Sequence, residues 1–261
     1  MAENTSPGFG LVGFFLGIFV AGGTYFGVAK LAGASTMTAV IVLAVFAVIG
    51  AAYTAIAFSK SIYAVGFFSI LGLVLDLSWS MLNTLAAFLV WIPACKIGNA
   101  NFVTPDEDSK RSGTFVYDSN PRGGGYAATT IGTCIAGGWS SHEENHVWQA
   151  RLFGPIYMVA YALSWILNVI FKLFTGKVQN IGMEAYYRIP FEDWCYWGAS
   201  TSGNTFNWGQ WFLWFLLTLI YVAALVGIPL GIALGIMPLW AISIMVLVFY
   251  SLVRAFAPSG H

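Results

Sequence analysis

The stretch FGLVGFFLGIFVAGGTYFGVAKL, residues 9–31, carries a single charge, Lys30, close to its end. A bilayer-spanning helix needs about 20 consecutive apolar residues, and this run satisfies that alone. Met37 to Ser59 does so again. Ile62 to Ile92 is longer than a span requires, which predicts a tilted or protruding helix. Phe212 to Phe256 is long enough for two spans with a turn around Gly235-Ile236-Met237-Pro238. Trp208, Trp211 and Trp214 stand where an interfacial aromatic belt is expected.

Composition agrees. Of the 261 residues, 58% are hydrophobic and 8% charged, against roughly 25% charged in soluble domains. Mean hydropathy is +0.76. Eleven basic residues balance eleven acidic ones, so there is no cationic excess for phosphates, and a nucleic-acid partner is not expected. The expectation is an all-α polytopic membrane protein of about five transmembrane helices plus one re-entrant or interfacial helix. Its regions would be a three-helix part, 1–95, a polar insert, 96–207, and a two-helix part, 208–261. Residues 113–117 and 126–135 read as a hairpin around a loose turn, and Asp106-Glu107-Asp108 as a solvated loop tip. The N-terminus MAENTSPGFG lacks the basic flank of a secretory signal, so the first apolar run is expected to be retained.

Small-residue ladders, Gly13-Gly17-Ala21 and Gly227-Gly231-Gly235, read as close-packing surfaces, within the chain or in a homo- or hetero-oligomer. Cys95, Cys134 and Cys195 show no metal spacing. They read as three unrelated buried thiols, with a Cys134–Cys195 bridge as the alternative. Asp76 is the one acid deep in a span, near Ser78, Ser80 and Asn83. Such a residue is a functional candidate by default, and here pairing with a neighbouring helix is the simpler reading. A small-solute channel or transporter, suggested by Asp76 and Pro229, is a third functional class.

Two of the three histidines, His142 and His146, lie in His-Glu-Glu-Asn-His; His261 is the third. None sits inside a long apolar run, which argues against bis-histidine haem at membrane depth. Residues four apart share a helix face, so both imidazoles can meet one zinc ion, with Glu143 beside it to take a proton from bound water. Gln149 falls on the same face, suited to orient a ligand or touch substrate. A plain acidic helix start capped by Ser140 or Ser141 explains Glu143 and Glu144 but not the paired histidines. A third ligand is required. Glu192, which follows Pro190 in a helix-start pattern, comes first, then Asp193, then Glu184.

The run HEENHVWQARLFGPIY, residues 142–157, resembles the HExxHxxQ…GPxY signature of a group of zincin-like, gluzincin-type bacterial integral membrane proteins. Thr130-Ile131-Gly132 and Tyr186-Tyr187-Arg-Ile-Pro-Phe-Glu192 resemble its flanking elements, so the likeness covers about residues 113–197. It implies His142, His146 and Glu192 as zinc ligands and Glu143 as catalytic base. Asn145, where the group usually has Gly, and Asp193-Trp194-Cys195 depart from the pattern.

The resulting expectation is a zinc metallopeptidase acting on peptide or membrane-protein substrates at the bilayer surface. Tyr117 or Tyr126 could serve as oxyanion donor. The rival is a structural subunit of a larger membrane complex, with a vestigial or structural metal site. Sidedness turns on Leu152 to Leu173. If it dips and returns, ten of the eleven basic residues share one side with the site; if it crosses, they split six to five. Positive-inside bias favours the return and a cytoplasmic site, and the resemblance implies a bacterial inner membrane.

Overall fold

A computed structural model describes residues 7–64, 66–104, 113–122, 128–174, 180–198 and 208–256. The chain divides into two compact units between Pro155 and Ile156. The acidic tip Asp106–Asp108, Tyr126 and His261 lie outside the described residues.

In the first unit, α1 (Pro7–Gly17) runs through a π turn, Ile18–Gly22, into α2 (Gly23–Leu31). Helix α3 (Thr36–Ser59) begins at Ser35, whose hydroxyl accepts from Thr38 N–H and so satisfies one of the helix's otherwise unbonded donors. The first small-residue ladder packs on α3. A Cβ at Gly17 would lie 2.4 Å from Gly50 O, and one at Gly13 would lie 2.2 Å from the Phe58 ring. This ladder is therefore an intrachain surface.

Next come α4 (Phe67–Leu77), α5 (Met81–Ala86), a π turn Ala87–Trp91 and α6 (Ile92–Ile97). The expected long span 62–92 is not one rod, because the chain bends by 83° between α4 and α5. The break falls at Ser78-Trp79-Ser80. By length and composition the candidate spans are Leu11–Leu31, Thr36–Ser59, Ser141–Leu173, Gly209–Ala233 and Met237–Arg254. The expected architecture stands, an all-α polytopic membrane protein with a small sheet. By length and composition 62–92 is a broken span or a re-entrant loop, and 152–173 lies within a stretch long enough to cross.

The sheet has four short strands, β1 (Phe102–Val103), β2 (Phe115–Tyr117), β3 (Thr129–Ile131) and β4 (Cys134–Ala136), in the order β1-β2-β4-β3. The expected hairpin between 113–117 and 126–135 is corrected. The later stretch is itself a hairpin, β3–β4, and β2 pairs with β4 in parallel. Ile131 pairs with Cys134, leaving a two-residue loop of Gly132 and Thr133. Gly132 has φ +55°, and a Cβ there would lie 2.1 Å from Asn83 O. Only glycine meets both demands, the positive φ and the close approach of α5. Helix α7 (Ser141–Phe153) follows.

Arg151 of α7 and Asp76 of α4 are both fully buried. The guanidinium donates to Asp76 through Nε at 3.0 Å and Nη2 at 2.7 Å, and also reaches Gly113 O. It lies 4.8 Å from the Trp148 ring centroid. A Cβ at Gly72 would stand 2.9 Å from the guanidinium carbon, so Gly72 leaves the room it occupies. Tyr63 donates to Asp76 at 2.6 Å and is 2.7 Å from the Tyr53 hydroxyl. Burial, and then the Asp76 charge, push the Tyr63 phenol well up, so it remains a donor.

The second unit comprises α8 (Tyr157–Leu173), α9 (Ile181–Tyr186), α10 (Pro190–Asp193) with a π turn Trp194–Gly198, α11 (Trp208–Ala233) and α12 (Met237–Phe256). The second ladder also packs within the chain: a Cβ at Gly227 would meet Ser243 and one at Gly231 would meet Trp240. Gly235, φ +68°, makes the turn between α11 and α12. Large apolar side chains such as Phe19, Val48, Ile220 and Phe249 point outward from the spans, as lipid contact requires.

Asp76→Asn would leave Arg151 buried without its counter-charge and is expected to cost about 3–5 kcal/mol. The double change Asp76→Leu/Arg151→Met should recover most of that loss. Thermal unfolding of the detergent-purified variants reads both; equal loss in single and double variants would contradict the assignment.

Candidate metal centre

The Ser140 hydroxyl accepts from Glu143 N–H at 3.2 Å and starts α7 one residue before Ser141. The next two turns carry the motif. His142 and His146 stack edge to face, with ring centroids 4.9 Å apart. Their Nε2 atoms face each other across 3.3 Å. Two nitrogens each about 2.0–2.1 Å from one tetrahedral ion lie roughly 3.3–3.4 Å apart. The pair is thus spaced as two ligands of a single divalent metal, and the donor set fits one.

Gln149 is fully buried, and its Oε1 lies 2.8 Å from His146 Nδ1. A carbonyl oxygen there calls for a proton on Nδ1, which leaves the His146 Nε2 lone pair directed at His142. This is the role expected for Gln149. Glu143 is 6% exposed and His146 4%. The Thr130 hydroxyl lies 2.5 Å from Glu143 Oε2 and 3.2 Å from Glu143 O. Strand β3 thereby holds both the carboxylate and the backbone of the motif's glutamate. The sequence marked Thr130 only as part of a similar flanking element; its contact with Glu143 depends on the fold of the β3–β4 hairpin.

The C-terminal end of α7 is held by the bend between α4 and α5. Asn83 donates to Ala150 O at 3.0 Å and Gly154 O at 2.7 Å, Ser80 to Ala150 O at 3.0 Å, and Trp79 to Leu152 O at 3.1 Å. The last carbonyls of a helix have no intrahelical partner, and the polar residues of the bend supply one. Gly154 has φ +55°, and a Cβ there would meet the Trp79 indole at 2.3 Å.

The three acids considered as third ligand belong to the second unit. Asp193 accepts from Tyr250 at 2.7 Å and is ion-paired with Arg254. Burial pushes its carboxyl up to about 6, against the opposing pull of Arg254. Glu184 pairs with Lys172 at 3.5 Å and Arg188 at 3.7 Å. Glu192 is fully buried and accepts a hydrogen bond from the Tyr161 phenol. Tyr117, named as an oxyanion donor, is 4% exposed and packs in the apolar core of the first unit.

Comparison with family models, curated proteins and solved structures returned no match to this chain.

Gln149→Leu keeps the bulk but removes the acceptor that sets the His146 tautomer. It is expected to weaken divalent-metal binding about 10–100-fold, read by competition with a chromophoric chelator. Unchanged affinity with unchanged helix content would show that Gln149 does not orient the ligand.

Proposed function

We propose that this membrane protein binds zinc through His142 and His146 and acts as a metallopeptidase of the gluzincin type at the bilayer surface. The observation that carries the reading is the 3.3 Å separation of the two Nε2 atoms, with Glu143 next in sequence to the first histidine. The proposed third ligand is Glu192, on its place in the helix start after Pro190 and on the resemblance of Tyr186–Glu192 to the flanking element of that group. A bound zinc ion would supply a water whose pKa is lowered toward about 7.

Glu143 is the residue to take the proton and return it to the leaving amine. Thr130, by holding one carboxylate oxygen, fixes the direction of the other. Gln149 keeps His146 in the tautomer that presents Nε2. The substrate would be a peptide or a membrane protein reaching the site along the bilayer surface. The membrane is proposed to be a bacterial inner membrane, as the resemblance implies, with 152–173 returning to the site's side and the site on the cytoplasmic face, as the basic-residue distribution favours.

A second reading, a non-catalytic subunit of a membrane complex with a structural metal, is supported by the enclosure of Glu143 and His146 and by the Thr130 bonds. The same contacts suit a clip joining hairpin to helix.

Metal analysis of the purified chain is expected to find about one zinc per chain. His146→Ala should abolish it. Glu192→Gln should lower it, whereas Asp193→Asn and Glu184→Gln should not. Glu143→Gln should keep the metal and lose peptidase activity; retained cellular function in that variant would favour the subunit reading. Single cysteines placed at Ser141 and Thr175 in a background lacking the native three should label from the same side of the membrane. Labelling from opposite sides would overturn the Glu192 assignment.

A further inference from the structure

The span α1–α2 and the span α3 lie side by side, so positions along α3 measure depth in the bilayer. The close approaches of Gly13 to Phe58, Gly17 to Gly50 and Gly22 to Ala47 make the two antiparallel. Ser59 therefore stands at one surface and Thr36 at the other.

Three contacts place the broken element 62–97 on that scale. At its bend, Tyr25 donates to Ser78 O at 3.1 Å, and the same ring stacks on Phe46 with centroids 3.8 Å apart. Phe46 is near the middle of the 24-residue α3. Past the bend, Phe88 meets Tyr53 with ring centroids 6.1 Å apart. Tyr53 lies about 10 Å nearer the Ser59 end than Phe46 does. Beyond the element, Lys60 Nζ is 4.9 Å from the Phe102 ring centroid, at the Ser59 end itself. The chain thus goes down to mid-bilayer and comes back. Neither limb is long enough to cross alone: α4 has 11 residues, about 16 Å, and Met81–Ile97 extends about 25 Å, against about 30 Å of hydrocarbon. Charge does not distinguish the two courses. Of the seven basic residues up to Arg151, six share the insert's side either way, with Lys30 the odd one on a return and Lys60 on a crossing.

We propose that residues 62–97 form a re-entrant loop and that the histidine pair lies below the membrane surface on the Ser59 side. The depth of the pair follows from α7. The Ala150, Leu152 and Gly154 carbonyls at its end bond to Trp79, Ser80 and Asn83 of the bend, which sets that end at mid-bilayer. His146 and His142 are about 6 and 12 Å back along the helix from Ala150, against about 15 Å from the midplane to the edge of the hydrocarbon. The hairpin that bonds Glu143 reaches the same depth, since Gly132 abuts Asn83. Backbone interrupted at this level needs protein partners, and α7 supplies them. This placement holds whatever the histidines bind. Resting on the metallopeptidase reading, it makes the substrate's scissile bond one embedded in the Ser59-side half of the bilayer.

Single cysteines at the exposed positions Ala32, Ser59 and Ser119 test the course of the chain. They are treated with a membrane-impermeant maleimide in intact and in permeabilised cells, and the wild-type chain, whose three cysteines are buried, is the blank. Ser59→Cys and Ser119→Cys are expected to label from one side and Ala32→Cys from the other. Separation of Ser59→Cys from Ser119→Cys, or all three on one side, would overturn the loop. Depth is read in lipid vesicles from spin labels relaxed by oxygen or by a water-soluble nickel chelate. Labels on Leu82→Cys and Leu152→Cys should both report mid-bilayer, and one on Ser141→Cys should lie about 16 Å shallower. Aqueous behaviour at Leu82, or equal depth at Ser141 and Leu152, would overturn the placement of the histidines. Neither readout depends on a bound metal, so failure of the zinc reading and failure of this one are told apart.

Discussion

The first unit depends on the buried ion pair of Asp76 and Arg151. Asp76 and Arg151 are far apart in sequence, and each would be expensive to bury alone in an apolar core. Together they satisfy one another through two hydrogen bonds, and Tyr63, Gly113 O and the Trp148 face complete the surroundings. The pair joins the half-helix α4 to α7, the helix that carries the two histidines. Whatever the histidines hold is therefore anchored from the far end of their helix by a carboxylate that looks, in the sequence, like an isolated anomaly.

The break between α4 and α5 gains a physical purpose in the same light. An interrupted helix in an apolar setting exposes backbone and polar side chains that need partners. Here Trp79, Ser80 and Asn83 find them in the terminal carbonyls of α7, which need donors. Two structural liabilities cancel. The glycines at 72, 132 and 154 permit this close packing, since each sits where a methyl group would collide with Arg151, Asn83 or Trp79.

Much of the architecture was legible in the sequence because hydropathy acts locally. Runs such as 9–31 and 37–59 are apolar whatever surrounds them. The chemistry of the site was legible for a similar reason: residues four apart share a helix face, so the convergence of His142 and His146 and the reach of Gln149 to His146 follow from α-helical geometry. Less legible was the form of the element 62–92. Its hydropathy is continuous, and the bend is stabilised by groups some 70 positions away. The strand pairing was also missed, since a parallel β2–β4 match is long-range and the turn signal of Gly132 sat inside what looked like one strand.

The sequence by itself determined that the chain is a membrane protein, that small-residue ladders form packing faces, and that two imidazoles lie on one helix face. Each of these is a matter of periodicity or composition within a few turns. Only the tertiary structure decided that the ladders close on helices of the same chain, that Asp76 belongs to Arg151 and that Thr130 grips Glu143. Those are choices among distant partners. They are made by which surfaces can be buried together without leaving a charge, a carbonyl or a donor unsatisfied, and no local pattern encodes that selection.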